Sequence, residues 1–320
     1  MADIVALVLP FFGLILIGYV SGRLGDHSAQ ALGWLNFFVI YVSLPALFFK
    51  LVSRTPIEQL TRVDFIAACL TATYTIFTLV FLIGRYVRGN TIAESTVQAL
   101  AGAYGNIGYM GPGLALLAFG ENAAVPVALI FCFENAAHFI AAPALMAFAG
   151  GDDRPPARLA LDVGKKILTH PFIIATLVGF LAAALAVEPP LALQRLVDYL
   201  AQSAAPCALF AMGVTLALRP LKRIPVEIGY IVPIKLAIHP VLVYLVLSAA
   251  GNFDPLWVYT AILLAALPTA TNVFVIGQQY GVWQERASAT ILITTVISVF
   301  SVSALLFAIK GGLLPPDLFP

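Results

Sequence analysis

Ten times along this chain an apolar run reaches roughly the 20 residues that an α-helix needs to cross the hydrocarbon core of a bilayer. The runs cover about 3–22, 31–51, 64–84, 94–119 and 124–149, then about 171–188, 192–218, 225–249, 256–281 and 286–310 of the 320 residues. Such a chain has too little polar surface to fold in water. Apolar residues make up 61% of it and charged residues 10%, where soluble domains carry roughly 25% charged. The 17 basic and 16 acidic residues leave a net charge of +1, so there is no basic field for a nucleic acid. Cys69, Cys132 and Cys207 fall in apolar runs without metal or disulfide spacing, and no His-Glu-x-x-His pattern occurs. The expectation is an all-α polytopic membrane protein without cofactor or metal, whose surroundings are lipid.

The first run has no basic leader and no small-residue cleavage site, and is read as a retained span. Ten spans put both termini on one side. The loops after spans 1, 3, 5, 7 and 9 hold Arg23, Arg85, Arg88, Arg154, Arg158, Lys165, Lys166, Arg219, Lys222, Arg223 and Arg286. The other face holds only Lys50, Arg54, Arg62, Arg195 and Lys310, so the first set is expected in the cytoplasm and both termini outside.

A weak internal repeat divides the chain. Ser43-Leu44-Pro45-Ala46-Leu47-Phe48-Phe49 in span 2 aligns with Ala204-Ala205-Pro206-Cys207-Ala208-Leu209-Phe210 in span 7, proline on proline and Phe49 on Phe210. The fourth span of each half is also the interrupted one. Because five is odd, a second five-span copy enters the membrane from the opposite side, and the halves are inverted. The expected organisation is a first repeat over 1–150, a cytoplasmic connector over 151–170 and a second repeat over 171–320. Inverted repeats place a site at their interface, near the midplane.

Span 4 contains Ala103-Tyr104-Gly105-Asn106-Ile107-Gly108-Tyr109-Met110-Gly111-Pro112-Gly113, and span 9 contains Leu267-Pro268-Thr269-Ala270-Thr271-Asn272. Glycine costs a helix about 1 kcal/mol and proline about 3. Unpaired backbone at membrane depth is tolerable only when buried in protein or lining a wet cavity. Close helix packing through small residues would account for the glycines, but not for the asparagine at both breaks. The expectation is two discontinuous helices whose half-helix N-termini suit an anion. Gly105, Asn106, Gly108, Pro268, Thr269, Thr271 and Asn272 would surround it, with Tyr104, Ser43 and Ser203 as further candidates, and Tyr109 and Gln278 behind them.

Gly-Asn-Ile-Gly-Tyr-Met-Gly in span 4 and Leu-Pro-Thr-Ala-Thr-Asn-Val-Phe-Val-Ile-Gly-Gln-Gln-Tyr-Gly in span 9 resemble the auxin efflux carrier family over essentially the whole chain. Relatives often have proline where this chain has Gly105. The family includes plant auxin exporters and bacterial carriers for malonate, malate and similar acids. The resemblance implies ten helices as two inverted repeats of five, with helices 4 and 9 crossing, in the fold shared with bile-acid transporters and sodium/proton antiporters. Spans 1, 2, 6 and 7 would form a scaffold, through which a homodimer is possible, and spans 3, 4, 5, 8, 9 and 10 a transport domain. A bacterial inner-membrane location follows from the same likeness.

Glu134, with Asn135 beside it in span 5, and Lys235 in span 8 are the ionisable residues well inside spans. A charge at the bilayer centre costs at least about 2.5–3.5 kcal/mol, so each is a functional candidate. A mutual salt bridge, or a protonated Glu134, would be the structural explanation. In antiporters of similar fold, acidic residues after the first crossover and a lysine before the second carry the ion chemistry, which implies proton coupling through Glu134 and Lys235. A sodium site of Asn106, Thr269, Asn272 and a carboxylate is the alternative. His138 and His239 follow Glu134 and Lys235 by one turn, and read first as packing residues. Trp257 and Trp283 read as interface anchors. The expected function is an elevator-type secondary carrier of a small organic anion. A sodium-coupled symporter of the bile-acid type, an intramembrane enzyme and a transporter-like receptor are its rivals.

Overall fold

The computed structural model describes residues 2–25, 31–150, 171–218, 224–251 and 253–318, with isolated positions between 158 and 169. The expected connector over 151–170 lies largely outside these residues, as does the loop over 219–223. The elements in chain order are α1 (Ala2–Leu24), α2 (Ala31–Phe38), α3 (Leu44–Ser53), α4 (Ile57–Leu60), α5 (Val63–Leu82), α6 (Ile92–Ala103), α7 (Gly111–Phe119) and α8 (Ala124–Phe148). Then come α9 (Pro171–Ala184), α10 (Leu191–Leu218), α11 (Ile228–Pro233), α12 (His239–Ala250), α13 (Pro255–Ala265), α14 (Asn272–Gln279) and α15 (Gln284–Lys310). No strand occurs among the described residues beyond one isolated antiparallel bridge, Gly105 with Thr269.

The chain is an all-helical, multi-pass membrane protein. Among the described residues, 6 helical stretches are long and apolar enough to cross a bilayer: Leu32–Ser53, Ile57–Val87, Glu121–Phe148, Leu191–Leu218, Ile228–Ala250 and Gln284–Lys310. The remaining apolar runs carry α1, the short α9, and the half-length pairs α6/α7 and α13/α14.

Proline chemistry shapes two of the long stretches. Val39–Ser43 and Ile234–Ile238 are wide π-helical turns, each ending two residues before a proline, Pro45 or Pro240. Proline has no N–H for the carbonyl four residues back, and its ring crowds that carbonyl. The wider turn relieves the crowding by closing i→i−5 bonds, Leu44 N–H to Val39 O and His239 N–H to Ile234 O. Such bulges occur often at functional sites, and Lys235 stands in the second. By contrast, α10 runs unbroken through Pro206, so the two proline motifs of the sequence repeat differ locally.

The helices form two compact units. The first comprises Met1–Val63, Gly108–Cys132 and Leu168–Pro220. Its tightest joint is α1 against α10. A Cβ on Gly18 would overlap the carbonyl oxygen of Phe210, one on Gly213 would overlap that of Ile15, and one on Gly22 would sit 2.9 Å from Ala217 Cβ. Small residues at these positions let two backbones touch, the usual means of helix association in lipid. Phe48 stacks on Phe131 at 3.9 Å between ring centres, and Asp198 on α10 pairs with Lys50 on α3 at 2.8 Å.

The second unit comprises Asp64–Ile107, Phe133–Ile167 and Leu221–Pro320. Helix α6 starts at a reciprocal cap. The Thr91 side chain accepts from Glu94 N–H, while Glu94 Oε2 accepts from Thr91 N–H at 3.0 Å. It then packs so closely on α5 that a Gly102 Cβ would lie 2.7 Å from Val80. Gln98 donates to Tyr230 OH at 2.5 Å, and Arg286 pairs with the buried Glu227 at 2.9 Å, tying α6 to α11 and α11 to α15. Two expectations are corrected here. Trp257 and Trp283 are not surface anchors but buried, at 8% and 7% exposure, and Trp257 packs edge-on to Phe65. Gly108–Cys132 groups with the first unit, although the family resemblance implies spans 4 and 5 wholly in the other part.

Replacing Gly213 with Leu should lower the thermal unfolding midpoint of the detergent-solubilised protein, since overpacking costs about 1–3 kcal/mol. Gly13→Leu, where nothing lies within 4 Å of the added carbon, should leave the midpoint near native.

Candidate functional site

Both helix breaks lie where the sequence chemistry requires. Helix α6 makes its last regular bond from Tyr104 N–H to Leu100 O at 2.7 Å, and Tyr104 then turns extended, with ψ 99°. Helix α7 restarts at Gly111, with Pro112 in its first turn, where a missing N–H does no harm. Helix α13 starts on the Asp254 side-chain cap with Pro255 first. It fails where Pro268 has no N–H for Leu264 O, and α14 begins at Asn272.

The broken ends satisfy one another. Asn106 N–H donates to Pro268 O at 2.8 Å, and Ala270 N–H donates to Tyr104 O at 2.9 Å. Thr269 Oγ1 donates to Ala101 O at 2.7 Å, taking the place that Gly105 N–H would hold in a continuous helix. Thr269 N–H turns instead to Thr294 Oγ1 on α15, at 3.2 Å. That leaves Ala265 O without its helical donor, and Lys235 Nζ supplies one at 2.5 Å. The ammonium thus sits at the C-terminal, partially negative end of α13. It is also beside Gly105, where an added Cβ would come within 3.4 Å of Nζ. The tighter contact of that added carbon is with Leu264 O, at 3.1 Å, so Gly105 lets the broken α6 end approach the C-terminal backbone of α13.

Side chains around this pairing form two hydrogen-bonded sets. In the first, Asn272 Nδ2 donates to Tyr104 OH at 2.7 Å, and the Tyr104 hydroxyl donates to Asn135 Oδ1. The Tyr104 ring faces His138 at 4.3 Å between centres, and Tyr74 OH meets His138 Nδ1 at 3.4 Å. His138 Nε2 is buried with no hydrogen-bond partner. In the second set, Thr73 Oγ1 donates to Glu134 Oε1 at 2.7 Å and meets His239 Nε2 at 3.1 Å, while His239 Nδ1 is 3.3 Å from Lys235 Nζ.

The structure therefore brings together Tyr104, Gly105, Asn106, Pro268, Thr269 and Asn272, and beside them Glu134, Asn135, His138 and Lys235. Of the two structural explanations, the direct salt bridge between Glu134 and Lys235 does not form, and Thr73 and His239 stand between them. Thr271 flanks the start of α14 without a side-chain cap bond, and Gln278 is exposed. Gly108 belongs to the first unit, where an added Cβ would lie 2.9 Å from the Phe131 ring. Ser43 and Ser203 belong there too. Each spends its hydroxyl within its own helix, on Val39 O at 3.3 Å and on Leu200 O at 2.6 Å. Sequence reasoning missed Thr73. The available signal was Thr71-Ala72-Thr73-Tyr74-Thr75, a hydroxyl-rich run inside an apolar span.

Known proteins resemble the whole chain. A family model described as "Membrane transport protein" matches residues 3–140 and 140–306. A Rhizobium meliloti protein named "Putative malonate transporter" is 69% identical over 320 residues, covering 100% of both chains. An Escherichia coli protein named "Uncharacterized transporter YfdV" is 24% identical over 295 residues, 90% of this chain and 92% of its own. A Methanothermobacter thermautotrophicus protein named "Uncharacterized transporter" is 22% identical over 298 residues, 92% of this chain and 94% of its own.

Thr269→Val should destabilise the protein by about 1–3 kcal/mol, because it strips the hydroxyl from a buried carbonyl that then has no replacement donor. Thr269→Ser should stay near native. Thermal unfolding of both variants in the same detergent checks the pair.

Proposed function

We propose, from the premise that this chain belongs to the membrane transport protein family of auxin efflux carriers, that it is a secondary carrier of small organic anions of the malonate type. The chain is a transporter and not an enzyme. In this reading ten spans form two inverted halves, 1–150 and 171–320, with both termini outside. Substrate is carried by an elevator movement of the part that holds the paired helix breaks.

The observation that carries the reading is the reciprocal pairing of Tyr104–Asn106 with Pro268–Ala270. Two interrupted helices end against each other, and their carbonyls are already satisfied by Thr269, Lys235 and backbone N–H groups. The N-terminal end of α14, which starts at Asn272 beside this junction, carries the partial positive charge that favours an anion. Asn106 and Asn272 add amide donors without the desolvation cost of a full charge. Substrate class rests on the likeness to the Rhizobium meliloti protein and its printed name. Glu134, Asn135, His138 and Lys235 serve ion coupling in this reading. A carboxylate at membrane depth can bind a proton reversibly, and a bound proton offsets the charge of an anion carried with it.

Counterflow of labelled malonate into proteoliposomes holding the purified protein tests the carrier. Asn106→Ala and Asn272→Ala should each lower that flux by about tenfold or more, the equivalent of about 1.4 kcal/mol. Native flux in both variants would discard the site.

Glu134→Gln should abolish the pH dependence of net uptake while leaving exchange of bound substrate. An unaltered pH profile in that variant would reject proton coupling at Glu134.

A further inference from the structure

The two ionisable residues inside the membrane segments are joined by a single unbranched chain of polar atoms. From one end it runs Glu134 Oε1, Thr73 Oγ1 at 2.7 Å, His239 Nε2 at 3.1 Å, then His239 Nδ1 to Lys235 Nζ at 3.3 Å. It ends on Ala265 O at 2.5 Å. Three helical regions supply it: α5, α8 and the wide turn with the start of α12. What exposure there is lies at one end. Glu134 is 6% exposed, His239 1%, and Thr73 and Lys235 0%. Glu134 is the least buried member and Lys235 is fully enclosed, so a proton leaving Lys235 has to pass through a neighbour.

Counting protons fixes the direction of every bond. An ionised Glu134 can only accept, so Thr73 must donate to it. The single hydroxyl proton is then spent, and His239 must donate to Thr73 from Nε2. A neutral imidazole with Nε2–H presents Nδ1 as an acceptor, which takes one proton of the Lys235 ammonium. A second ammonium proton goes to Ala265 O. Each bond then joins a donor to an acceptor. If Glu134 instead carries the proton and donates it to Thr73, each bond must reverse. Thr73 then donates to Nε2, Nδ1–H donates to Lys235, and Lys235 must be a neutral amine. That amine still has an N–H for Ala265 O. A protonated Glu134 donating to Thr73 would otherwise put Nδ1–H against an ammonium N–H, donor against donor.

We propose that Thr73 and His239 form a proton wire between Glu134 and Lys235, so that Lys235 gains and loses its proton only by way of Glu134 and the two buried charges appear and vanish together. The step is balanced. One proton leaves Lys235 Nζ for His239 Nδ1, the Nε2 proton passes to Thr73 Oγ1, and the hydroxyl proton passes to the Glu134 carboxylate. Three bonds to hydrogen break, three form, and no net proton enters. The other titratable groups within electrostatic reach are Cys69 and Tyr74 on α5, His138 on α8 and Tyr104 after α6. None of them lies on the chain: Tyr74 meets His138, and Tyr104 meets Asn135 and Asn272. Thr73 and His239 are positioning and relay residues. The inference deepens the proton-coupled reading and rests on it only for its consequence in transport.

The test uses the full chain in lipid nanodiscs, labelled with nitrogen-15 at lysine Nζ, the Lys235 signal being assigned by its loss in Lys235→Met. Exchange of the Lys235 Nζ protons with solvent should slow by about tenfold or more in Thr73→Val, the scale on which a positioned proton-transfer group acts. The hydroxyl-retaining Thr73→Ser should remain within about twofold of native. Exchange at the native rate in folded Thr73→Val would overturn the wire. Should that variant not fold, Glu134→Gln decides: it keeps an acceptor oxygen for Thr73 but cannot pass a proton, so native-rate exchange there would overturn the wire equally. Malonate uptake driven by a pH gradient is measured on the native protein in parallel. If the exchange pattern holds and such uptake is absent, proton-coupled transport fails and the wire stands.

Discussion

A peptide group inside a bilayer has no water to turn to, and an unpaired one costs several kcal/mol. Two helix breaks at membrane depth are therefore possible only if something else completes their backbones. Here the completion is mutual. Tyr104 O and Asn106 N–H bond Ala270 N–H and Pro268 O, and Thr269 and Lys235 cap the carbonyls that the breaks strand. Neither half of the arrangement is stable without the other, because each supplies the donors that the other lost. At Gly105 an added Cβ would crowd the Leu264 carbonyl oxygen at 3.1 Å, so a glycine lets the two broken ends come together. The lysine is tolerated because a helix end and an imidazole accept its protons.

The two compact units use different means of cohesion. In the first, backbones meet directly through Gly18, Gly22 and Gly213, and the aromatic pair Phe48 and Phe131 stacks. Packing of that kind is dense and tolerates little change in volume. In the second, buried polar side chains on several helices form continuous hydrogen-bonded sets. Such sets are favourable only while every member is satisfied. His138 Nε2 stands out as the buried nitrogen of this region with no partner.

Much of this was legible in the sequence, and the reasons are local. Pro112, Pro268 and the glycines of span 4 break a helix wherever it lies, because the missing N–H and the missing side chain act within one turn. The apolar runs declared the membrane for the same reason. What was not legible depends on which residues meet across helices. Glu134 and Lys235 stood out as costly charges, but the sequence could not show that Thr73 and His239 separate them. Ser43 and Ser203 looked available, yet each hydroxyl turns to a carbonyl in its own helix. Trp257 and Trp283 fit the composition of an interface belt, and tertiary packing buries them instead. The twinned prolines Pro45 and Pro206 sit in similar sequence, yet a wide turn forms before one and not the other.

Trp283 holds a left-handed backbone, with φ 57°, at the corner between α14 and α15, and its buried indole N–H has no acceptor. A large side chain adopts that conformation only when its surroundings impose it, at a cost of about 1–3 kcal/mol. The corner is thus not shaped by its own residues. It is held from outside, by the packing that buries the indole.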